Sequence, residues 1–85
     1  MYIGRSRKFY KQYHKLPKKV QQQFDSRLRL YLEDEENPLL KIHNLSGEYR
    51  GFQSFNVNAD IRVVFMREHE KLYFIAIGSH SELYE

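Results

Sequence analysis

The last third of this 85-residue chain restricts its fold most strongly, because it predicts three consecutive strands. The strands are expected at about residues 50–57, 61–67 and 72–77, separated by polar turns at 58–60 and 68–71. Every residue from Leu72 to Ile77 is aliphatic or aromatic, so we expect this strand to be covered on both faces. Strands joined by such short turns pair antiparallel. The region therefore predicts a small, mostly antiparallel sheet.

The N-terminal half predicts a short strand followed by two helices. Residues 1–3 are the candidate strand, and Ser6 is a suitable N-cap for a helix over about residues 7–15. Pro17 suits the first turn of a second helix, whose apolar residues recur at four-residue intervals: Val20, Phe24, Leu28 and Leu32. The acidic block 33–36 and the Asn37-Pro38 pair should end this helix. The predicted fold is α+β, with the order β-α-α-β-β-β and a helical hairpin packed on the sheet.

The size and composition of the chain predict one domain over residues 1–85. The absence of cysteine excludes disulfides and thiolate metal sites, so stability must come from an apolar core rich in its seven tyrosines and six phenylalanines. No apolar run approaches the roughly 20 residues of a membrane span. We therefore expect a cytoplasmic protein without a membrane partner.

Positive charge is concentrated in the N-terminal part of the chain. Residues 1–31 contain nine Lys or Arg residues and one acidic residue, Asp25. This asymmetry predicts a basic surface that attracts RNA or an acidic protein. A solvated helix face is the alternative interpretation.

Three sequence motifs resemble those of the RelE/ParE toxin superfamily, and in particular its YafQ-type messenger-RNA interferases. They are His43-x-Leu45-x-Gly47-x-Tyr49-x-Gly51, Asp60-x-Arg62 and Gly78-Ser79-His80-Ser81-Glu82-Leu83-Tyr84. The resemblance covers nearly the whole chain, and the C-terminal motif is its most specific part. It implies a toxin of a type II toxin–antitoxin module that enters the ribosomal A site, cuts mRNA without a metal, and is suppressed by a cognate antitoxin.

The resemblance also implies which side chains carry the chemistry. His80 matches a family histidine and is the candidate general acid, with Gly78 expected to let the backbone turn it out of the sheet. His43 matches the other histidine and is a candidate base or phosphate contact, while Asp60 aligns with a family aspartate that acts as base or orients a histidine. An ordinary strand-end, loop or turn residue is the alternative for each.

Three further residues are candidates for RNA contact. Arg62 could hold the scissile phosphate or pair with Asp60, and Arg50 matches a basic family position that could otherwise be solvated surface. Tyr84 could stack on a base or close the core. The sequence departs from the family pattern at Asn56, where a histidine can stand, and asparagine cannot shuttle a proton.

No metal or small-molecule cofactor is expected, because the four histidines, which include His14 and His69 at predicted surface positions, lack metal-ligand spacing. The expected partners are the ribosome, mRNA and an antitoxin with an acidic segment that covers the basic helices or the sheet edge. Two other functions remain open. One is a ParE-like inhibitor of DNA gyrase, and the other is a catalytically weak antitoxin-binding relic.

Overall fold

Five strands form a single sheet in a computed structural model that describes residues 1–84. The strands are β1 (Tyr2–Arg5), β2 (His43–Asn44), β3 (Gln53–Asn56), β4 (Ile61–Glu68) and β5 (Lys71–Ser79), in the spatial order β1-β5-β4-β3-β2. The β1–β5 pair is parallel and the other pairs are antiparallel. The predicted mostly antiparallel sheet and α+β class are confirmed.

Two helices form the predicted hairpin: α1 (Arg7–Lys15) and α2 (Lys18–Glu33). Ser6 caps α1 as predicted, since its Oγ accepts a hydrogen bond from the Phe9 N–H at 2.9 Å. The same hydroxyl donates to the Ile75 carbonyl at 2.6 Å and so fastens the start of α1 to β5. Pro17 lies one residue before α2, and the helix ends at the acidic block.

One face of the sheet packs against the helices around an aromatic core, here called the helix-side core. The Phe24 ring lies 5.2 Å from that of Phe74 and 5.4 Å from that of Phe9, measured between ring centroids. Its buried members are Phe9, Phe24, Tyr31, Leu40, Phe55, Val57, Val63, Phe65, Leu72, Phe74 and Ile77.

The opposite face, here called the open face, has a smaller cluster formed by Tyr49, Val64, Ala76 and Leu83. Strand β5 contains a bulge opposite Val64 and Phe65. Val64 pairs with Ala76 and Phe65 pairs with Phe74, so Ile75 is the extra residue. Phe74 therefore packs in the helix-side core and Ala76 in the open-face cluster. Strand β5 therefore has buried side chains on both faces, as expected, although Tyr73 and Ile75 stay partly exposed.

The structure differs from the prediction in three places. The two-residue strand β2 and two 3₁₀ turns, Pro38–Leu40 and Gly47–Tyr49, occupy the segment before β3. The strand expected from residue 50 begins only at Gln53, after a bend at Gly51 with a φ of 94°. The chain ends in a short helix α3 (His80–Tyr84) that was not predicted. No helix among residues 1–84 is long and apolar enough to cross a membrane.

Candidate functional site

A cleft of about 600 Å³ opens beside the open-face cluster. Its walls are the segment from His43 to Tyr49 on one side and two residues of α3, His80 and Tyr84, on the other. These two segments are far apart in the sequence. The fold therefore brings together three of the six predicted site residues: His43, His80 and Tyr84.

His80 is the first residue of α3, and a reciprocal capping box fixes that position. The Ser79 N–H donates to the Glu82 carboxylate at 2.8 Å, and the Glu82 N–H donates to the Ser79 hydroxyl at 3.2 Å. The hydrogen bond from the Ser79 backbone, followed by that from its side chain, lowers the pKa of Glu82 below its usual value. The cap, together with the helical turn that it starts, leaves the His80 side chain exposed at the cleft.

Gly78 has a different role from the one predicted. Strand β5 continues through it to Ser79 rather than ending there, and it is not among the glycines with positive φ. A Cβ at this position would lie 3.0 Å from the Glu82 carboxylate oxygen and 3.4 Å from its Cβ. Glycine therefore gives Glu82 the room to reach back and cap α3.

Tyr84 belongs to both the cleft and the open-face cluster. Its ring lies 4.8 Å from the His80 ring, one helical turn earlier, and 5.9 Å from the Tyr49 ring. The ring packs against the open-face cluster, while the hydroxyl is buried without a hydrogen-bond partner among residues 1–84. The two alternatives for Tyr84 are thus compatible, because one ring both packs on the core and lines the cleft.

His43 stands on β2 with its side chain exposed at the cleft. Its Nδ1 lies 3.0 Å from the Lys41 carbonyl oxygen, and its Nε2 lies 3.2 Å from the Ser54 hydroxyl on β3. His43 and Ser54 are direct partners in the β2–β3 register. Both ring nitrogens therefore have a hydrogen-bond partner within the protein.

Asp60 and the two arginines lie outside the residues that line this cleft. Asp60 is exposed in a turn. Its backbone N–H donates to Asn58 Oδ1 at 2.8 Å, which is the local capping arrangement typical of Asx turns. Arg50 is exposed directly after the Gly47–Tyr49 turn.

Arg62 lies on β4 opposite both Asn56 and Gly78. Because side chains alternate along a strand, Arg62 shares the open face with Val64. The alternative of an Asp60–Arg62 ion pair is wrong. Within residues 1–84 a single ion pair forms, and it joins Arg67 to Glu35.

The sequence interpretation missed two polar residues that shape the site. Glu82 could have been found, because Ser79-x-x-Glu82 has the spacing of a capping box. Ser54 had no local signal, since its importance depends on its cross-strand neighbour. Asn56, two residues later on the same face, has a buried Oδ1 that finds no hydrogen-bond partner within residues 1–84. Among the residues described, no group of three or more His, Cys, Asp or Glu side chains could hold a metal ion.

The comparison with protein families gives one match over the whole chain. The model of the family described as bacterial toxin of type II toxin-antitoxin system, YafQ, matches residues 1–85. Among curated protein sequences, none matches the chain significantly.

Solved structures show the same fold at low sequence identity. YafQ from E. coli strain BL21(DE3) is 18% identical, with a TM-score of 0.85 over 98% of this chain and 97% of that chain. The E. coli DinJ-YafQ toxin-antitoxin complex gives 20% identity and a TM-score of 0.82, covering 98% and 96%. The YoeB/ParE toxin from Agrobacterium tumefaciens is 18% identical, with a TM-score of 0.78 over 94% of this chain and 99% of that chain.

Proposed function

Because the chain belongs to the YafQ family of bacterial type II toxins, we propose that it is a ribosome-dependent endoribonuclease that cleaves mRNA without a metal. The observation that supports the proposal is that His43, His80 and Tyr84 line the same cleft. Metal-free cleavage needs two groups that exchange protons near neutral pH, and histidine is the side chain best suited to both roles.

The reaction uses the RNA as its own nucleophile. A base removes the proton from a 2′-hydroxyl, whose oxygen bonds to the adjacent phosphorus while the bond from phosphorus to the 5′-oxygen breaks. An acid protonates the departing 5′-oxygen, which leaves a 2′,3′-cyclic phosphate and a 5′-hydroxyl. His80 is the acid in this proposal, because its exposed side chain lines the cleft from the first residue of the capped helix α3.

His43 is favoured over Asp60 as the base. His43 lines the same cleft as His80, whereas Asp60 lies in an exposed turn outside the cleft lining. Asp60, in its exposed turn, keeps a weaker role: its negative charge acts on the RNA or on a histidine. A base must come within hydrogen-bond reach of the proton that it takes, so position has priority over chemical type.

The remaining candidates contact the RNA. Arg62 shares the open face with the cleft and is the candidate ligand of the scissile phosphate. Tyr84 offers its ring to a base, as aromatic side chains do in the recognition of single-stranded RNA. Arg50 follows the loop that lines the cleft and extends the positive surface for mRNA or ribosomal RNA.

The proposal gives the protein three partners: mRNA, the ribosome and a cognate antitoxin. The antitoxin is supported by family membership and by the likeness to the DinJ-YafQ complex. The basic α1–α2 surface suits an acidic segment of such a protein.

Growth arrest and ribosome-bound cleavage of mRNA test the function. We expect His80→Ala to lower the cleavage rate about 10²–10⁴-fold, the usual contribution of one general acid, with an unchanged fold. His14→Ala is the matched control, because His14 is exposed on α1 and lies outside the cleft lining. It should cleave like the unmodified protein.

Two results would contradict the proposal. Intact mRNA on ribosomes together with inhibited DNA supercoiling would favour the gyrase inhibitor. Antitoxin binding without any growth arrest would favour the catalytically weak relic.

A further inference from the structure

His43 is exposed at the cleft, yet its ring is held from both sides by the protein. The Lys41 carbonyl lies 3.0 Å from Nδ1, and the Ser54 hydroxyl lies 3.2 Å from Nε2. A solvated surface histidine has no reason to engage both nitrogens with its own chain. The two contacts together restrict the rotation of the ring.

The backbone at Lys41 has an uncommon conformation that accompanies the first contact. Its φ is 51° and its ψ is 50°, which is left-handed, a region that residues other than Gly, Asn and Asp rarely adopt. Lys41 follows the Pro38–Leu40 turn and precedes β2. This bend lies directly at the residue whose carbonyl meets the His43 ring.

The second contact comes from a side chain that water does not reach. Ser54 is 0% exposed, and among residues 1–84 it is the one polar residue that is buried. Buried hydroxyl groups are costly unless they form a hydrogen bond, and the His43 ring supplies the partner. The stability of β3 is thus linked to the orientation of a ring in the cleft.

The chemistry of the two partners fixes the position of the proton on the ring. A carbonyl oxygen only accepts, so Nδ1 must carry hydrogen and donate to Lys41. In the neutral ring Nε2 then has a lone pair, and the Ser54 hydroxyl, which can donate, gives its hydrogen to that lone pair. The neutral ring is held as the Nδ1–H tautomer.

We propose that Ser54 is a positioning residue that, together with the Lys41 carbonyl, presents His43 to RNA as a base with Nε2 as its reactive nitrogen. The inference deepens the proposed function and rests on it for its catalytic meaning. As the 2′-hydroxyl of the RNA approaches the lone pair of Nε2, the Ser54 hydroxyl turns its hydrogen away, and its oxygen stays beside the ring to accept a hydrogen bond from the Nε2–H that proton transfer forms. Proton transfer then breaks the O–H bond of the RNA and forms Nε2–H, while Nδ1–H keeps its bond to Lys41.

Nuclear magnetic resonance of protein labelled with ¹⁵N-histidine tests the tautomer without any measurement of activity. At a pH where the histidines are neutral, two-bond ¹H–¹⁵N correlations should show His43 as Nδ1–H. His14, which is exposed on α1, serves as the internal reference. In Ser54→Ala the Nε2 signal of His43 should shift towards that of an unbonded imine nitrogen and the second tautomer should appear, whereas Ser54→Thr, which keeps the hydroxyl, should resemble the unmodified protein.

Two spectral results would overturn the inference. One is a His43 ring in the Nε2–H form, or in the same mixture as His14. The other is a Ser54→Ala spectrum in which His43 is unchanged although the backbone spectrum shows an intact fold.

Cleavage kinetics separate this inference from the proposed function. Ser54→Ala should lower kcat about tenfold, the value of one hydrogen bond, with little change in KM, and Ser54→Thr should restore it. Normal cleavage by a folded Ser54→Ala protein would also count against the positioning role. If the unmodified protein does not cleave RNA on ribosomes, the proposed function fails while the spectra still decide how His43 is held.

Discussion

The two faces of the sheet differ in what they bury. The helix-side core is a continuous stack of aromatic and aliphatic side chains between the sheet and the two long helices. The open face has four buried apolar residues, and beside them lie His43, His80, Ser54, Asn56 and Tyr84. Two of these, Asn56 and Tyr84, have a buried side-chain oxygen without a hydrogen-bond partner among residues 1–84. The same strands supply both faces, because side chains alternate along them.

This difference separates stability from chemistry. The helix-side core buries eleven residues and the open-face cluster four, so most of the hydrophobic burial lies on the helix side and the other face can retain exposed and polar groups. A chain of 85 residues has a small margin of stability. We infer that substitutions on the two faces will have separable effects, and three experiments test this separation in order of decreasing effect.

The largest effect is expected in the helix-side core. Phe24 is 1% exposed and its ring packs against those of Phe9, Phe55 and Phe74. Phe24→Ala should lower the free energy of unfolding by about 3–5 kcal/mol, because it leaves a cavity that the neighbours fill only partly. Denaturant or thermal unfolding measures the change.

His80→Ala is the comparison on the open face for this experiment. Its side chain is exposed, so the free energy of unfolding should change by less than about 0.5 kcal/mol. A similar loss of stability in both variants would break the distinction between the two faces.

A pair of tyrosines gives a sharper comparison of the faces. The Tyr84 hydroxyl is buried without a partner in the described part of the chain, whereas the Tyr31 hydroxyl accepts a hydrogen bond from Arg67 at 3.2 Å. Tyr84→Phe should raise the free energy of unfolding by about 1 kcal/mol, because it removes an unsatisfied polar group. Tyr31→Phe should lower it by about 1 kcal/mol, because it breaks a hydrogen bond.

Chemical denaturation of the two variants under identical conditions measures the difference. A loss of stability in Tyr84→Phe would mean that its hydroxyl has a partner in solution. Cleavage should persist in Tyr84→Phe, because stacking on a base needs only the ring.

The smallest effect concerns the pH dependence of the α3 cap. The pKa of Glu82 lies below its ordinary value of 4.5 because of its hydrogen bonds to Ser79. A lowered pKa in the folded state means that the cap stabilises α3 fully above about pH 4.5 and that this contribution is lost as the pH falls through the lowered value. The His80 and Tyr84 resonances should therefore shift together with the Ser79 amide in an acid titration.

Glu82→Gln should remove the acid-induced shift of the Ser79 amide resonance, because glutamine does not titrate in this range. Glu70→Gln is the control, since Glu70 is exposed in the turn before β5 at the other end of the strand. An unchanged Ser79 titration in the Glu82→Gln protein would contradict the capping box.

The elements that sequence predicted well are those with a local cause. Helix α1 follows from Ser6 and its apolar spacing, and α2 ends where the acidic block begins. Strands β4 and β5 follow from their long apolar runs and the polar turns between them. The boundaries of β3 and the short strand β2 were missed, because two residues of pairing leave no periodic pattern.

The site was predicted only in part, because local motifs reveal some of its residues and strand pairing brings in the others. His43, His80 and Tyr84 were identified through the motifs that resemble the family, and the structure places all three at one cleft. Asp60 and Arg50 lie outside its lining, because a turn and a loop direct them to solvent. The role of Ser54 depends on a residue eleven positions earlier in the chain, which becomes its neighbour only through strand pairing.

By itself, the sequence determined the α+β class, the helical hairpin, the antiparallel sheet and the residue types available for proton transfer. These features depend on short-range periodicity, capping and turn chemistry, which neighbouring residues control. Only the tertiary structure decided which polar groups meet, which face of the sheet stays open, and how the His43 ring is held between Lys41 and Ser54. Those properties depend on the strand register and on the bulge at Ile75, and the packing of the whole domain fixes both.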